Sequence, residues 1–163
     1  MKTLTMVRHA KSSWTDLSSS DFDRVLNERG ESDAPRMGAA WKERFRSVER
    51  IVSSPAKRAI TTAGILAEAL DYSVDQIHQE AKIYEASLET LLALVRQFPQ
   101  QVNDLMMVGH NPGFQNLATC LTGERFANLP TCGVVRVALE VERWSEVQPG
   151  SGSLVAFLSP KGL

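Results

Sequence analysis

The chain has 163 residues, with 18 lysine and arginine side chains against 19 aspartate and glutamate side chains and a formal net charge of −1. This length is enough to bury one hydrophobic core, and it predicts a single domain over residues 1–163. The balanced charge gives no overall basic surface for nucleic acid or for an anionic membrane, so neither is expected as a partner.

The first predicted strand covers the apolar residues 4–7, and a polar segment follows it. A stripe of apolar residues at helical spacing comes next and ends at Phe45. The start of this helix is predicted at Asn27 or at Ser32, because Pro35 suits the first turn of a helix better than its interior.

A second strand is predicted at residues 51–52. Ser54 and Pro55 then supply an N-cap and a first-turn proline for a helix that ends at about Leu70. A third strand is predicted at residues 81–84.

The same alternation continues through the C-terminal half of the chain. Ser87 is predicted to cap an amphipathic helix, whose apolar residues recur at helical spacing from Leu88 to Val95. The apolar run 105–108 predicts a buried strand, and the short helix after it ends at Leu121. Two further strands are predicted at residues 134–141 and 154–158.

The order of these elements predicts an α/β fold. Strands that alternate with helices form a three-layer α/β/α sandwich, in which a mostly parallel central sheet carries helices on both faces. In open sheets of this kind, ligands bind beyond the carboxyl ends of the strands. The polar segments that follow the strands are therefore the places to look for a site.

The cysteine content and the N-terminus both favour a cytoplasmic protein. Cys120 and Cys132 are too few for a disulfide framework and are expected to be reduced thiols. The N-terminal residues do not form a signal peptide, because Arg8 interrupts the apolar run. No apolar stretch approaches the roughly 20 residues of a membrane-spanning helix.

The pair Arg8-His9 directly follows the first predicted strand. A neutral imidazole can act as a nucleophile near neutral pH, and the planar guanidinium of the adjacent arginine fits phosphoryl oxygens. Taken alone, an Arg-His pair in a loop is more often simply exposed. The pair therefore indicates a phosphate site only together with other residues.

The segment from Ser53 to Ala63 follows the second predicted strand and opens the next helix. Arg58 falls in the first turn of that helix, where the helix dipole disfavours a cation unless an anion binds nearby. The alternative is that Lys57 and Arg58 are solvated surface charges. The dipole argument favours an anion site.

The segment Gly109-His110-Asn111-Pro112-Gly113 follows the buried run 105–108. Glycine and proline around one histidine predict a tight turn that presents the imidazole ring, so His110 is a candidate to bind a phosphoryl oxygen. The third histidine, His78, lies in a polar stretch and is expected to be exposed.

No metal and no cofactor are expected at this site. His9 and His110 are too few for a zinc site, and their spacing fits no compact zinc-binding template. Two arginines at the same place would also repel a metal cation.

Together these segments resemble the histidine phosphatase superfamily, which has the phosphoglycerate mutase-like fold, and within it the SixA-type phosphohistidine phosphatases. The resemblance implies one histidine phosphatase domain over residues 1–163. It rests on matches in order along nearly the whole chain, at residues 8–12, 21–30, 53–63, 109–113, 144 and 150–157.

The resemblance implies that His9 is the nucleophile and becomes phosphorylated, while Arg8, Arg58 and His110 surround the phosphoryl group. These three side chains would neutralise the charge that Mg²⁺ neutralises in other phosphoryl-transfer enzymes. The second ring nitrogen of His9 is expected to donate to a backbone carbonyl, which leaves the first free to attack. Ser12 is expected to bind substrate at the mouth of the site.

The general acid is predicted from the place that the superfamily often uses, the loop after the third strand. Glu85 matches that place, and Asp21, in the early polar segment, is the alternative. Glu85 also has a structural interpretation, as a carboxylate near the N-terminus of the following helix. A third possibility is that no acid is needed, because the protonated imidazole of a phosphohistidine leaves readily.

The resemblance thus implies a metal-independent phosphatase with a phosphohistidine intermediate, acting on phosphohistidine in a protein. A chain of 163 residues leaves no room for an insertion that covers the site, which suits a phosphoryl group on another protein. Two alternatives remain open: a small-molecule or phosphoester phosphatase with the same core, and a non-catalytic module that binds phosphorylated ligands. The sequence predicts no oligomeric state.

Overall fold

The computed structural model describes residues 1–16 and 18–163. The strands are β1 (Lys2–Arg8), β2 (Arg50–Ser53), β3 (His78–Gln79), β4 (Asp104–Gly109), β5 (Val134–Leu139) and β6 (Gly152–Leu158). The α-helices are α1 (Glu28–Phe45), α2 (Lys57–Ala69), α3 (Leu88–Val95) and α4 (Gly113–Thr122).

The strands form one sheet in the order β3-β2-β4-β1-β5-β6. The first four of these strands run parallel to one another, whereas β5 pairs antiparallel with both β1 and β6. The sheet is therefore mostly parallel, with an antiparallel pair of strands at one side.

Helices cover both faces of the sheet. On one face, α1 and α2 bury Met37, Trp41 and Leu66 against the strands. On the other face, α3 and α4 bury Leu91 and Leu117 in a second cluster. The predicted three-layer α/β/α fold is confirmed.

Helix α1 begins at the first of its two predicted starts. The side chain of Asn27 accepts a hydrogen bond from the backbone N–H of Gly30 at 2.9 Å, as an N-cap residue does, and Pro35 lies inside the helix. A side chain at Gly30 would collide with the backbone carbonyl of Lys11. Glycine therefore lets α1 pack directly on the segment that follows β1.

Helix α2 begins later than the sequence predicts, at Lys57. Ser54 does not cap this helix, because its hydroxyl accepts a hydrogen bond from the N–H of Ala56 at 3.2 Å in the turn before it. Pro55 also lies in this turn. Arg58 nevertheless remains in the first turn of α2, as predicted.

The predicted third strand at residues 81–84 is wrong. Ala81–Ile83 forms a turn of 3₁₀ helix, and β3 is the short segment His78–Gln79. Ile83 is apolar because it is buried in the core, although it belongs to the 3₁₀ turn and not to a strand. Every other predicted strand and helix overlaps an observed one.

The carboxyl ends of β1, β2 and β4 meet at one edge of the sheet. Strand β4 lies between the other two, and Arg8 pairs with Gly109 while Ser53 pairs with Val108. The segments that carry the predicted site residues therefore leave the sheet side by side.

Two further observations concern the chain as a whole. Within residues 1–16 and 18–163, no helix is both long enough and apolar enough to cross a membrane. Cys120 is half-buried and Cys132 is buried, and both are free thiols.

Candidate active site

A cavity of about 210 Å³ opens at this edge of the sheet. Its lining contains four cationic side chains and two histidines, and no carboxylate is among the lining residues. Such a lining attracts anions. The lining residues are Arg8, His9, Lys11, Ser12, Trp14, Arg24, Arg58, His110, Asn111 and Thr131.

The buried imidazole of His9 is held in one tautomer. Its Nδ1 lies 2.8 Å from the backbone carbonyl oxygen of Ala10, and because that oxygen can only accept, Nδ1 carries the hydrogen. The unprotonated Nε2 accepts a longer hydrogen bond, 3.3 Å, from Nε of Arg58. This is the backbone contact expected for a histidine that attacks through Nε2.

Backbone hydrogen bonds fix the segment that carries this imidazole. The N–H of Ala10 donates to the hydroxyl of Thr62 on α2 at 3.0 Å. The N–H of Cys132 lies 3.0 Å from the carbonyl oxygens of both Arg8 and His9. The nucleophile candidate is thus anchored to α2 on one side and to the segment before β5 on the other.

Arg58 is buried beside His9 and makes two contacts with Asp21. Its Nη1 donates to the backbone carbonyl of Asp21 at 2.6 Å, and its Nη2 donates to the carboxylate at 3.1 Å. These two contacts fix the orientation of the guanidinium.

Asp21 is the centre of a hydrogen-bond network at the rim of the cavity. Its carboxylate also accepts from Nε of Arg24 at 3.2 Å and from the hydroxyl of Tyr84 at 2.6 Å. The hydrogen bond from Tyr84, together with the positive charge of Arg58, lowers the pKa of Asp21 to about 2. Asp21 is therefore ionised at neutral pH, where it can position arginines but cannot donate a proton.

His110 is also buried, and its Nε2 lies 2.8 Å from the hydroxyl of Ser54. This hydroxyl also accepts from the N–H of Ala56, and it can either donate to Nε2 of His110 or accept from it. When Ser54 donates, the hydrogen of the imidazole lies on Nδ1. This Nδ1 is buried and has no partner among the described residues.

A second buried nitrogen of the cavity without a partner among the described residues is Nε of Arg8, which is always a donor. The rest of this guanidinium is fixed, since its Nη1 donates to the carbonyl oxygen of Leu129 at 3.0 Å. Buried donors are almost always hydrogen-bonded in folded proteins. An anion in the cavity would supply acceptors for Arg8 and His110, which both line it.

The two imidazoles lie close together, with ring centroids 5.3 Å apart, and both are neutral at pH 7. Burial lowers the pKa of His9 to about 4, and the positive charges of Arg58 and Arg8 act in the same direction. Burial and the neighbouring His9 lower the pKa of His110 to about 3. A neutral His9 can attack phosphorus without first losing a proton.

These pKa values predict how the protein responds to acid. Because an unfolded histidine takes up a proton near pH 6.5, stability falls below about that pH by up to roughly 1.4 kcal/mol per pH unit for each buried imidazole. The loss continues until the folded-state pKa values of His9 and His110, about 4 and about 3, are reached. We expect ¹⁵N NMR to show the His9 and His110 rings neutral at pH 5, and titration of either of these two rings near pH 6.5 would contradict this.

Neither predicted general acid lines the cavity: Asp21 lies at its rim, and Glu85 lies outside it. The side chain of Glu85 is exposed and is not among the lining residues, and its backbone adopts a left-handed conformation with φ of 54°. Glu85 lies next to Tyr84 in the chain. Burial and the contact with Asp21 raise the pKa of the Tyr84 hydroxyl, and the negative charge of Glu85 contributes less in the same direction. The role of Glu85 as general acid stays a prediction.

The other predicted residues come together, and the structure adds several that sequence reasoning missed. Ser12 lines the cavity and accepts a hydrogen bond from Nη1 of Arg24. Arg24 lies in the matched segment 21–30, which was the available signal for it. Lys11 and Asn111 likewise lie in the matched segments 8–12 and 109–113, whereas Trp14 and Thr131 lie outside every matched segment.

The part of the chain that the structure describes contains no group of three or more His, Cys, Asp or Glu side chains that could hold a metal ion. The donor set of the cavity is also unsuited to a cation, since Arg8, Lys11, Arg24 and Arg58 all line it. The arrangement can instead bind a phosphoryl group next to an unprotonated imidazole nitrogen.

Comparison with known proteins agrees with this geometry. Residues 4–130 match the family model of the histidine phosphatase superfamily (branch 1). An uncharacterized protein of Mycobacterium tuberculosis is 31% identical over 170 aligned residues, which cover 95% of this chain and 100% of the relative.

Solved structures show the same similarity. A crystal structure from Agrobacterium tumefaciens, proposed to be the phosphohistidine phosphatase SixA, is 28% identical with a TM-score of 0.83 and 98% coverage of both chains. The fold also matches the protein histidine phosphatase SixA complexed with tungstate, at 20% identity, a TM-score of 0.84 and 98% coverage of both chains. The chain belongs to the histidine phosphatase superfamily (branch 1).

Proposed function

We propose that this protein is a metal-independent phosphatase that forms a phosphoenzyme on Nε2 of His9 and removes phosphoryl groups from phosphohistidine in proteins. The observation that carries the proposal is the state of this imidazole. Its Nδ1 is tied to the carbonyl of Ala10, and its unprotonated Nε2 belongs to a cavity lined by cations.

The first half of the reaction transfers the phosphoryl group to the enzyme. Nε2 of His9 attacks phosphorus in line with the leaving group, a P–N bond to the enzyme forms, and the bond to the leaving group breaks. Arg8, Arg58 and the Nδ1–H of His110 take the phosphoryl oxygens as acceptors. Arg58 gives up its long hydrogen bond to Nε2 of His9 when the phosphorus arrives there.

The second half regenerates the enzyme. Water attacks the phosphoenzyme, the P–N bond to His9 breaks, and inorganic phosphate leaves with the oxygen of that water. His9 returns to its neutral form with the hydrogen on Nδ1. The hydrogen bond to Ala10 keeps the ring in one orientation through both halves.

The charge of the cavity supports a reaction without a metal ion. Phosphoryl transfer needs positive charge around the equatorial oxygens, which many enzymes supply with Mg²⁺. Here Arg8 and Arg58 flank the nucleophile, with Lys11 and Arg24 further around the lining. A divalent cation would meet like charges and no carboxylate in this lining.

The leaving group is the reason to favour phosphohistidine over an alkyl phosphate. An alkoxide needs a proton as it leaves, yet no carboxylate lines the cavity and Asp21 is ionised. Glu85 lies outside the lining. A phosphohistidine can take up its proton from water before the P–N bond breaks, so it needs no general acid from the enzyme.

A comparison of substrates tests the proposal. We expect kcat/KM for a phosphohistidine peptide to exceed that for the matched phosphoserine peptide by about 100-fold or more, because one missing proton donor costs about that factor. Glucose 6-phosphate should be slower still, and EDTA should leave all three rates unchanged.

Each other outcome points to a different function. A preference for the sugar phosphate would indicate a small-molecule phosphatase, and loss of turnover in EDTA would overturn the metal-free mechanism. Tight binding of phosphopeptides without turnover would indicate a binding module.

A further inference from the structure

Trp14 is unusual among the tryptophans of this chain. It is 70% exposed, whereas Trp41 and Trp144 are each only 1% exposed in the core. Single exposed apolar residues are common on protein surfaces and need no explanation. Trp14 differs from these because it lines the cavity that contains His9.

Arg24 holds the indole ring of Trp14 in place. The guanidinium of Arg24 stacks on the indole, 3.6 Å from its ring centroid. Arg24 is itself buried and fixed by Asp21 and by Ser12. The indole therefore rests on a rigid support while most of its surface stays in water, so little conformational entropy is lost when a partner covers it.

A second exposed aromatic side chain, Phe22, is connected to the site through Tyr84. Phe22 is 38% exposed and packs edge-on against Tyr84, with ring centroids 5.2 Å apart. Tyr84 in turn packs edge-on against His110, with centroids 5.5 Å apart, and donates its hydroxyl to Asp21. Arg24 stacks on Trp14, and Tyr84 packs against Phe22. Both Arg24 and Tyr84 donate a hydrogen bond to the carboxylate of Asp21.

The proposed reaction decides which part of a substrate meets these aromatic side chains. It places the phosphoryl group against the charged lining around His9, so the rest of the substrate extends past Trp14, which lines the same cavity. A sugar would present hydroxyl groups there and would gain little from the indole face. Apolar side chains would gain about 25 cal/mol for each Å² of apolar surface removed from water.

We propose that Trp14 and Phe22 form a contact surface for a polypeptide substrate, and that they select apolar side chains next to the phosphorylated histidine. This inference rests on the proposed function and adds a substrate preference to it. Tryptophan is the residue type most often found to dominate the binding energy of protein interfaces, which suits its place here.

Two synthetic phosphohistidine peptides test the preference, one with leucine and one with serine on both sides of the phosphohistidine. We expect the wild-type protein to favour the leucine peptide by about tenfold in kcat/KM, the size of effect typical of one well-packed aromatic contact. Trp14→Ser should reduce this ratio to about twofold or less, and Phe22→Ser should reduce it partly. Trp14→Phe should keep most of it.

The control is Val74→Ser, which removes an exposed apolar side chain from a 3₁₀ turn outside the cavity lining; at 46%, the exposure of Val74 lies between those of Phe22 and Trp14. This variant should keep the wild-type ratio. The inference is overturned if the wild type shows no preference, or if Trp14→Ser keeps it. A ratio of two substrates also separates substrate contact from damage to Arg24, which would slow both peptides equally.

A binding measurement separates failure of this inference from failure of the proposed function. Trp14 is the exposed tryptophan, so acrylamide quenching of fluorescence reports chiefly on it. The leucine peptide with a non-hydrolysable phosphotriazole in place of phosphohistidine should protect the fluorescence of the wild type, and the serine peptide should protect it less. If the wild type hydrolyses neither peptide, the proposed function fails. The difference in fluorescence protection between the two peptides still decides whether Trp14 contacts apolar side chains. If both peptides protect equally, the inference fails even where turnover is observed.

Discussion

Replacement of His9 by asparagine is expected to abolish turnover, with kcat falling by a factor on the order of 10⁴ or more, as when other covalent catalysts lose their nucleophile. The carboxamide of asparagine can still donate a hydrogen bond, but its nitrogen lone pair is delocalised into the carbonyl and does not attack phosphorus. The cavity charges remain, so binding of phosphate should change much less than kcat. Rapid quenching with ³²P-labelled substrate should trap a label in the wild type and none in the variant.

The chemistry of the trapped label identifies the residue type. A phosphohistidine is labile to acid and stable to alkali, and we expect that behaviour here. His78→Asn is the matched control, because His78 is the exposed histidine on β3, away from the cavity lining. Wild-type turnover in His9→Asn, or a label that survives acid, would assign the nucleophile to another residue.

Much of the fold follows from the sequence because most strands here are buried apolar runs. In β1, the side chains of Leu4, Met6 and Val7 are fully buried, and a run of this kind is visible without any tertiary information. Strand β6 is an apolar run in which only two side chains are buried, and the polar strand β3 has none. It has two residues with exposed side chains, His78 and Gln79, so it leaves no apolar pattern, and its position depends on pairing with β2.

The sequence likewise predicts which residues form the site but not their hydrogen bonds or protonation states. Arg8, His9 and His110 were found because they directly follow strands, and residues in that position converge at one edge of a parallel sheet. Their states could not be predicted, because these depend on tertiary contacts. The hydrogen-bond partner of His110, for example, is Ser54, which lies 56 positions away in the chain.

Asp21 shows most clearly what cannot be predicted from the sequence alone. As a sequence feature, a carboxylate in a polar segment near a phosphate site is a reasonable general acid. Its contacts with Arg58 and Tyr84, 37 and 63 positions away, make it an ionised acceptor instead. Only the folded chain brings these donors to it and lowers its pKa to about 2. The sequence could propose the residue type but could not supply the protonation state.

Arg58 is expected to be the second most sensitive residue, and Asp21 is expected to act through it. Arg58→Met should lower kcat/KM by about 10²–10³-fold, the usual cost of removing one donor from a developing charge. Asp21→Asn should cost less, about tenfold, since Nη1 of Arg58 keeps its bond to the backbone carbonyl while Nη2 loses the carboxylate. Lys57→Met, which removes an exposed cation from the same first turn of α2, should stay close to wild type.

A second readout distinguishes electrostatic loss from a disturbed fold. The positive charge of Arg58 helps to lower the pKa of His9, so Arg58→Met should raise that pKa above its wild-type value of about 4, and Lys57→Met should not. NMR titration of the His9 ring measures this directly. A large loss of activity in Arg58→Met with an unchanged His9 pKa would mean that Arg58 does not act beside the nucleophile. Equal losses in Arg58→Met and Asp21→Asn would mean that the carboxylate, and not the backbone carbonyl, is what holds the guanidinium in place for the phosphoryl group.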